Sequence, residues 1–204
     1  MSDSETLSTR SWTRSSNFYV LVFGAIMLAG LLFLAWMGSP PRVTPIGQPM
    51  STLDLQPLLH GADSIDAKDL LGKLTVFHFW GAWCPNSEKE FLEFLKLYQA
   101  YRDNSHIAFV SVSSSAGPEL DLPKLENESA AFLDRFESTM PTYSDPAAMT
   151  RSRLGLMFHG GSFAYPTTVL VDGSGIIVDA VTGGEPSDLQ RIAQSIEREL
   201  SSGK

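Results

Sequence analysis

The chain of 204 residues carries a single cysteine, Cys84. No internal disulfide can form, so no covalent staple supports the fold, whatever the redox compartment. Its 15 Lys and Arg residues stand against 23 Asp and Glu, a net charge of -8. The basic residues are scattered, with no basic stripe, which excludes a nucleic-acid surface. Charged residues make up 19% and hydrophobic residues 43%, a balance that excludes a disordered chain. No internal repeat and no low-complexity segment is present. His159-Gly160-Gly161 has the look of an esterase oxyanion loop, but no Gly-x-Ser-x-Gly elbow accompanies it, so that chemistry falls away. For a metal, Cys84, His78, His159 and Met157 are the only soft or imidazole candidates near one place, and one thiolate is a thin basis for a Cu(I) site. No metal and no cofactor is expected.

What the chain does have begins with an apolar run, Phe18 to Met37, free of charge and proline. It is long enough to cross ~30 Å of hydrocarbon as a helix. Trp12, Tyr19 and Trp36 lie near its ends, as interfacial aromatics do. A cleaved signal peptide would have a shorter apolar region and a small-x-small site, and Ala35-Trp36-Met37-Gly38 is a poor one. A retained signal anchor is therefore expected. Arg10 and Arg14 precede the span and Arg42 follows it, a bias toward a cytoplasmic N-terminus. The organisation reads as a tail over 1–17, a transmembrane helix over 18–37, a Pro-rich linker over 38–46 and a folded domain over 47–204. The domain would lie outside the cytoplasmic membrane, in the periplasm.

Within that domain, Thr52 to Leu59 predicts a first strand, Ile65 to Leu71 a helical turn and Leu74 to Trp80 a buried strand. Phe91, Phe94, Leu95, Tyr98 and Tyr101 recur at helical spacing after Pro85. Ile107 to Val112 predicts another strand, which makes a βαβ unit with a parallel pair. Gly117 to Pro123 reads as a loop, Leu125 to Phe136 as a helix and Ala147 to Leu156 as another. Thr167 to Val171 and Ile176 to Val181 form a hairpin about Asp172-Gly173-Ser174-Gly175. A last helix starts near Pro186. The whole is an α/β fold, one sheet flanked by helices.

Cys84 lies in Trp80-Gly81-Ala82-Trp83-Cys84-Pro85-Asn86-Ser87, where a strand hands over to a helix. Unpaired N–H groups and the helix dipole favour a thiolate there. An exposed, reactive sulfur is expected rather than an inert core cysteine. Trp80 packs either around this turn or in the core.

The Trp-Cys-Pro turn, the Tyr165-Pro166-Thr167-Thr168 segment, the Ile46-Gly47-Gln48-Pro49 opening and the Pro166–Asp172 run together resemble the thioredoxin superfamily. The closer likeness is to its membrane-anchored bacterial branch, the TlpA, ResA and CcmG type of thiol-disulfide oxidoreductase. The resemblance covers about Ile46 to Leu200. It implies a thioredoxin-like fold behind the anchor, with Cys84 as the attacking cysteine and Pro166 as a cis-proline facing it. It implies that the backbone at Tyr165 and Pro166 pairs with an extended partner segment by a form of strand addition, with Trp83, Pro85 and Thr167 also contacting the partner.

Two departures stand out. Ser87 occupies the place of the resolving cysteine, and a hydroxyl cannot close a disulfide. A mixed disulfide at Cys84 would persist until an outside thiol attacked it. Ser87 either bonds to the Cys84 sulfur or faces solvent on the helix. The second departure is the insertion Met157 to Ala164, beside Pro166. His78, on the strand beneath the site, reads either as a proton-transfer base or as a buried neutral histidine bonded to backbone, and the second fits better. Glu88 and Glu90 suit the helix dipole and carry no assigned chemistry. A peroxidase is disfavoured because Gly81 stands where a Thr-x-x-Cys pattern needs threonine.

The sequence thus points to exchange through one nucleophilic cysteine, acting on extracytoplasmic protein thiols and disulfides or small-molecule thiols. The other reading is a non-catalytic binding or assembly module that kept the groove and lost turnover.

Overall fold

Strand β2 (Leu74–Trp80) is buried at every position, because layers cover both of its faces. Leu74, Val76 and Trp80 point to one core cluster and Phe77 and Phe79 to the other, the period of two that a strand imposes. The computed structural model describes residues 12–37, 44–50, 53–117, 120–158 and 161–202. Residues 1–11 of the expected tail, most of the linker, and His159 and Gly160 of the insertion lie outside the described residues.

The chain divides into two units, Met1–Arg42 and Val43–Lys204. In the first, helix α1 (Trp12–Met37) is 26 residues long. Its described side chains, 18–33, are exposed. Among the described residues no helix is long and apolar enough to cross a membrane.

The second unit is built on a mixed six-stranded sheet in the order β1-β4-β3-β2-β5-β6. Strand β2 runs parallel to β3 (Ile107–Ser113) and antiparallel to β5 (Thr167–Val171), with Val76 opposite Phe109 and Leu170. Helix α2 (Pro85–Tyr101) makes the crossover, and the β5–β6 hairpin (β6, Ile177–Thr182) closes one edge. Helix α3 (Leu122–Arg135) leads to β4 (Thr142–Ser144), which lies parallel to β3 and antiparallel to β1 (Gln56–Leu59). Helix α4 (Met149–Gly155) follows, and α5 (Pro186–Ser202) ends the fold. Phe91 and Phe94 of α2, Phe132 and Leu133 of α3, and Ile192 and Ile196 of α5 pack on one face of the sheet.

Three expectations are corrected. Strand β1 starts at Gln56, not Thr52; Thr52 lies outside the described residues, and the Asp54 N–H donates to the Thr150 hydroxyl instead of a ladder. The loop drawn to Pro123 ends at Asp121, whose carboxylate accepts from Lys124 N at 3.0 Å and caps α3, with Pro123 in its first turn. Strand β4 was not foreseen: three residues are too short for a periodicity signal, and only pairing with β1 and β3 defines them.

Candidate functional site

Strand β2 delivers the chain to its C-terminal end, and Trp80 stays in the core. It is fully buried, donates to the Ser111 hydroxyl and stacks on Phe132. The next four residues turn sharply, with Cys84 N donating to Gly81 O at 2.9 Å. Pro85 then occupies the first turn of α2, where its missing N–H costs nothing. Cys84 is the N-cap residue in extended conformation, and its side chain makes no capping bond.

The sulfur looks the other way. Cys84 Sγ donates to the Tyr165 carbonyl at 3.4 Å. The Tyr165–Pro166 peptide bond is cis. The Pro166 carbonyl accepts from Gly183 N at 3.1 Å, in the loop between β6 and α5. Gly184 then lies hard against the cysteine turn: a Cβ there would meet the Asn86 carbonyl oxygen at 2.9 Å. Strand end, helix start, cis-proline segment and glycine loop thus converge on one sulfur.

Trp83 covers this convergence from outside. Its indole N–H donates to Ser114 O at 2.9 Å, and its ring meets Tyr165 edge-on at 5.5 Å between centroids. It is still 43% exposed. The indole folds over Gly81 so closely that a Cβ at that position would lie 2.5 Å from Nε1. Pro85 is exposed and Tyr165 half-buried.

Several expectations change here. Cys84 is not openly exposed: it is 8% accessible, because Sγ turns in against the Tyr165 backbone. Ser87 neither faces solvent nor bonds to the sulfur. It is fully buried, and its hydroxyl accepts from Gly81 N at 3.3 Å, tying the turn from within. Thr167 presents no open hydroxyl, being 1% exposed and bonded to Ala164 O and Thr182 Oγ1.

His78 is wholly buried, with Nδ1 against Thr168 Oγ1 at 2.9 Å and its ring stacked on Phe94. Its partner is a side chain rather than backbone. Among the described residues Nε2 has no hydrogen-bond partner. Burial pushes the imidazole down to about 3, so it stays neutral near pH 7. The structure does not join it to Cys84 by a hydrogen bond.

Glu90 is the residue the sequence reading passed over. It is 2% exposed, and burial, then the Asp188 charge, push its carboxyl up to about 7. The signal was available: Ser87, Glu90, Phe91 and Phe94 share one helical face. Among the described residues no group of three or more His, Cys, Asp and Glu side chains is placed to hold a metal ion.

Comparison with known proteins agrees with this architecture. The AhpC/TSA family model matches residues 46–180. Thiol-disulfide oxidoreductase ResA of Halalkalibacterium halodurans is 30% identical over 122 residues, 60% of this chain and 61% of that one. Thioredoxin-like protein YneN of Bacillus subtilis is 28% identical over 116 residues, 57% of this chain and 60% of that one. The matched region thus spans about 60% of the length of these curated relatives. Among solved structures, a thioredoxin-family thiol:disulfide interchange protein from Chlorobium tepidum superposes with a TM-score of 0.53 at 17% identity, covering 77% of this chain and 98% of that one. The thioredoxin domain of a thiol-disulfide oxidoreductase from Bacteroides vulgatus gives 0.52 at 20% identity, with 74% and 96% covered. These likenesses establish the thioredoxin-like fold. With its sheet order, its cysteine turn and the matched region all in agreement, this single-cysteine chain belongs to the AhpC/TSA family.

Proposed function

We propose that the protein exchanges thiols and disulfides through Cys84 alone, on the extracytoplasmic side of a membrane to which residues 18–37 anchor it. The observation that carries the chemistry is the 3.4 Å contact between Cys84 Sγ and the Tyr165 carbonyl, beside Pro166. It puts the one sulfur against the backbone segment along which an extended partner would pair. The names of ResA and the structural relatives support the same reaction class.

In the first step the Cys84 thiolate attacks one sulfur of a partner disulfide. A new S–S bond forms at Cys84, the partner's bond breaks, and the leaving sulfur departs as thiolate and takes up a proton. Ser87 cannot resolve this adduct. A second thiol, from the partner or a small molecule, attacks it, forms its own disulfide with the trapped group and returns Cys84 as thiolate. No electrons are gained or lost by the chain over the cycle. Isomerisation and removal of small-molecule caps fit this balance, whereas net oxidation by an internal dithiol does not. Trp83, Pro85 and Tyr165 hold the partner segment. Ser87 keeps the turn in shape, and Thr167 braces the Pro166 segment from inside.

The anchor rests on the charge-free run Phe18 to Met37 and on Arg10 and Arg14 before it. The near-burial of Cys84 and the missing second cysteine favour the other reading, a binding module without turnover. Acid quench of cells followed by mass analysis of the full chain separates the two. A mixed disulfide at Cys84, absent in Cys84→Ser, supports exchange. A wholly free thiol at all times, with partners still co-isolated, supports the module. Extraction at alkaline pH tests the anchor: the protein stays with the membrane pellet, and release into the supernatant overturns it.

A further inference from the structure

The site continues past the sulfur. A cavity of about 380 Å³ opens between α4 and the end of the insertion, with Arg151, Gly155, Leu156, Phe163 and Tyr165 on its walls. It begins one residue from the thiol, because the same Tyr165 whose carbonyl meets Cys84 Sγ gives it one wall. Gly155 lets the insertion close onto α4: a Cβ there would press on Phe163 N at 3.3 Å. Phe163 is fixed edge-on between Phe79 and Tyr165, at 5.2 and 5.3 Å between centroids. The Phe163 wall is therefore held by the core.

Arg151 is the one charged side chain on the cavity wall among the described residues, and the buried Asp145 carboxylate lies beside it. Helix α4 carries Arg151 and Arg153 and no acidic residue, within a chain of net charge -8. Arg151 is half-buried, and one N–H of its guanidinium donates to the Asp145 main-chain oxygen at 3.1 Å. Its other guanidinium N–H groups make no further hydrogen bond among the described residues, although its charge also attracts the Asp145 carboxylate. The nearby Asp145 carboxylate already accepts the Thr150 and Arg151 backbone N–H groups, at 3.3 and 2.8 Å. A planar donor braced on one side and open on the other suits a carboxylate. Leu156, 70% exposed at the rim, adds an apolar contact.

We propose that this cavity receives a carboxylate of the molecule that exchanges with Cys84, with Arg151 as its receptor. The assignment rests on the exchange reading of Cys84 and narrows it to acid-bearing substrates. Arg151 is a positioning residue here: it holds the partner while the S–S bond moves between sulfurs. The acid has two sources, an acidic side chain beside the cysteine of a protein segment or the acid group of a small thiol.

The test uses the full chain and paired probes. One pair is the symmetrical disulfide of Gly-Cys-Glu-amide against that of Gly-Cys-Gln-amide. The other is dithiodiglycolic acid against its diamide. The readout is the acid-to-amide ratio of the rate of mixed-disulfide formation at Cys84. A ratio of about ten is expected in at least one pair, as for a charge-assisted bidentate contact. It falls to about one in Arg151→Gln, inverts in Arg151→Glu and is partly kept in Arg151→Lys. A preference in the peptide pair alone assigns the site to acidic protein segments, and in the small pair alone to low-mass thiol acids. Ratios near one in both pairs, or ratios untouched by Arg151→Gln, overturn the proposal. Calorimetry with the S-methylated probes, which cannot exchange, keeps the two readings apart. Acid-selective binding that Arg151→Gln abolishes, with no exchange at Cys84, sustains the pocket and removes the exchange reading. No acid-selective binding, with exchange intact, does the reverse.

Discussion

The Ser87 hydroxyl accepts a hydrogen bond from the Gly81 N–H across the turn that holds Cys84. A serine at this position is thus a structural tie. Ser87→Ala leaves the buried Gly81 N–H without an acceptor and costs about 1–3 kcal/mol. Urea unfolding measures it. A loss below about 0.5 kcal/mol would show that the bond is idle.

Gly81 is required by its neighbour. Any Cβ there meets the Trp83 indole at 2.5 Å, so Gly81→Ala must expel the ring from its bond to Ser114 O. The expected result is a red-shifted Trp fluorescence and a loss of about 1–3 kcal/mol. Unchanged emission would mean that the indole does not sit over Gly81.

Gly184 works from the opposite side. With φ at +98 and Asn86 backbone against it, Gly184→Ala combines a strained dihedral with a clash. A cost of about 1–3 kcal/mol is expected, together with faster alkylation of Cys84 as the glycine loop backs away. Alkylation at the parent rate would show that this loop does not hold the turn.

Two buried groups give opposite pH dependences. His78 has a folded pKa of about 3 against 6.5 unfolded, so the unfolded chain binds more protons below 6.5. Stability falls as pH drops from about 6.5 toward 3, by up to ~1.4 kcal/mol per pH unit. In His78→Gln this acid limb flattens.

Glu90 runs the other way. With a folded pKa of about 7 against 4.5 unfolded, the native state holds a proton that the unfolded state releases. Stability therefore falls as pH rises from about 4.5 to 7. Glu90→Gln is expected to gain stability over the parent at pH 8 and much less at pH 4. Denaturant midpoints at both pH values measure this, and an equal change at both would remove the raised carboxyl from the account.

The large elements were legible because burial leaves a pattern. The all-apolar β2 run, the Phe91 and Phe94 spacing of α2, and the Asp172–Gly175 hairpin each follow from one local rule. Strand β4 was not, since Thr142 to Ser144 become a strand only when β1 and β3 lie on either side. At the site, the sequence located Cys84 and Pro166 through their resemblance to a known arrangement. It did not tell that Ser87 and Thr167 turn inward, because a hydroxyl suits water and a buried acceptor equally well. Glu90 was missed by reading its position in the first turns of α2 ahead of its helical face.

The two carbonyls of the Tyr165–Pro166 pair are both engaged in the resting chain, one by the Cys84 thiol and the other by the Gly183 N–H. A strand pairing here, as proposed, would share these carbonyls with existing donors or displace them. The net gain from main-chain pairing is small in such an exchange. Under the exchange proposed for Cys84, residence on the protein would then depend on side-chain pockets and on the covalent bond itself, so that an unbonded visitor would depart quickly while a captured one would wait for a rescuing thiol.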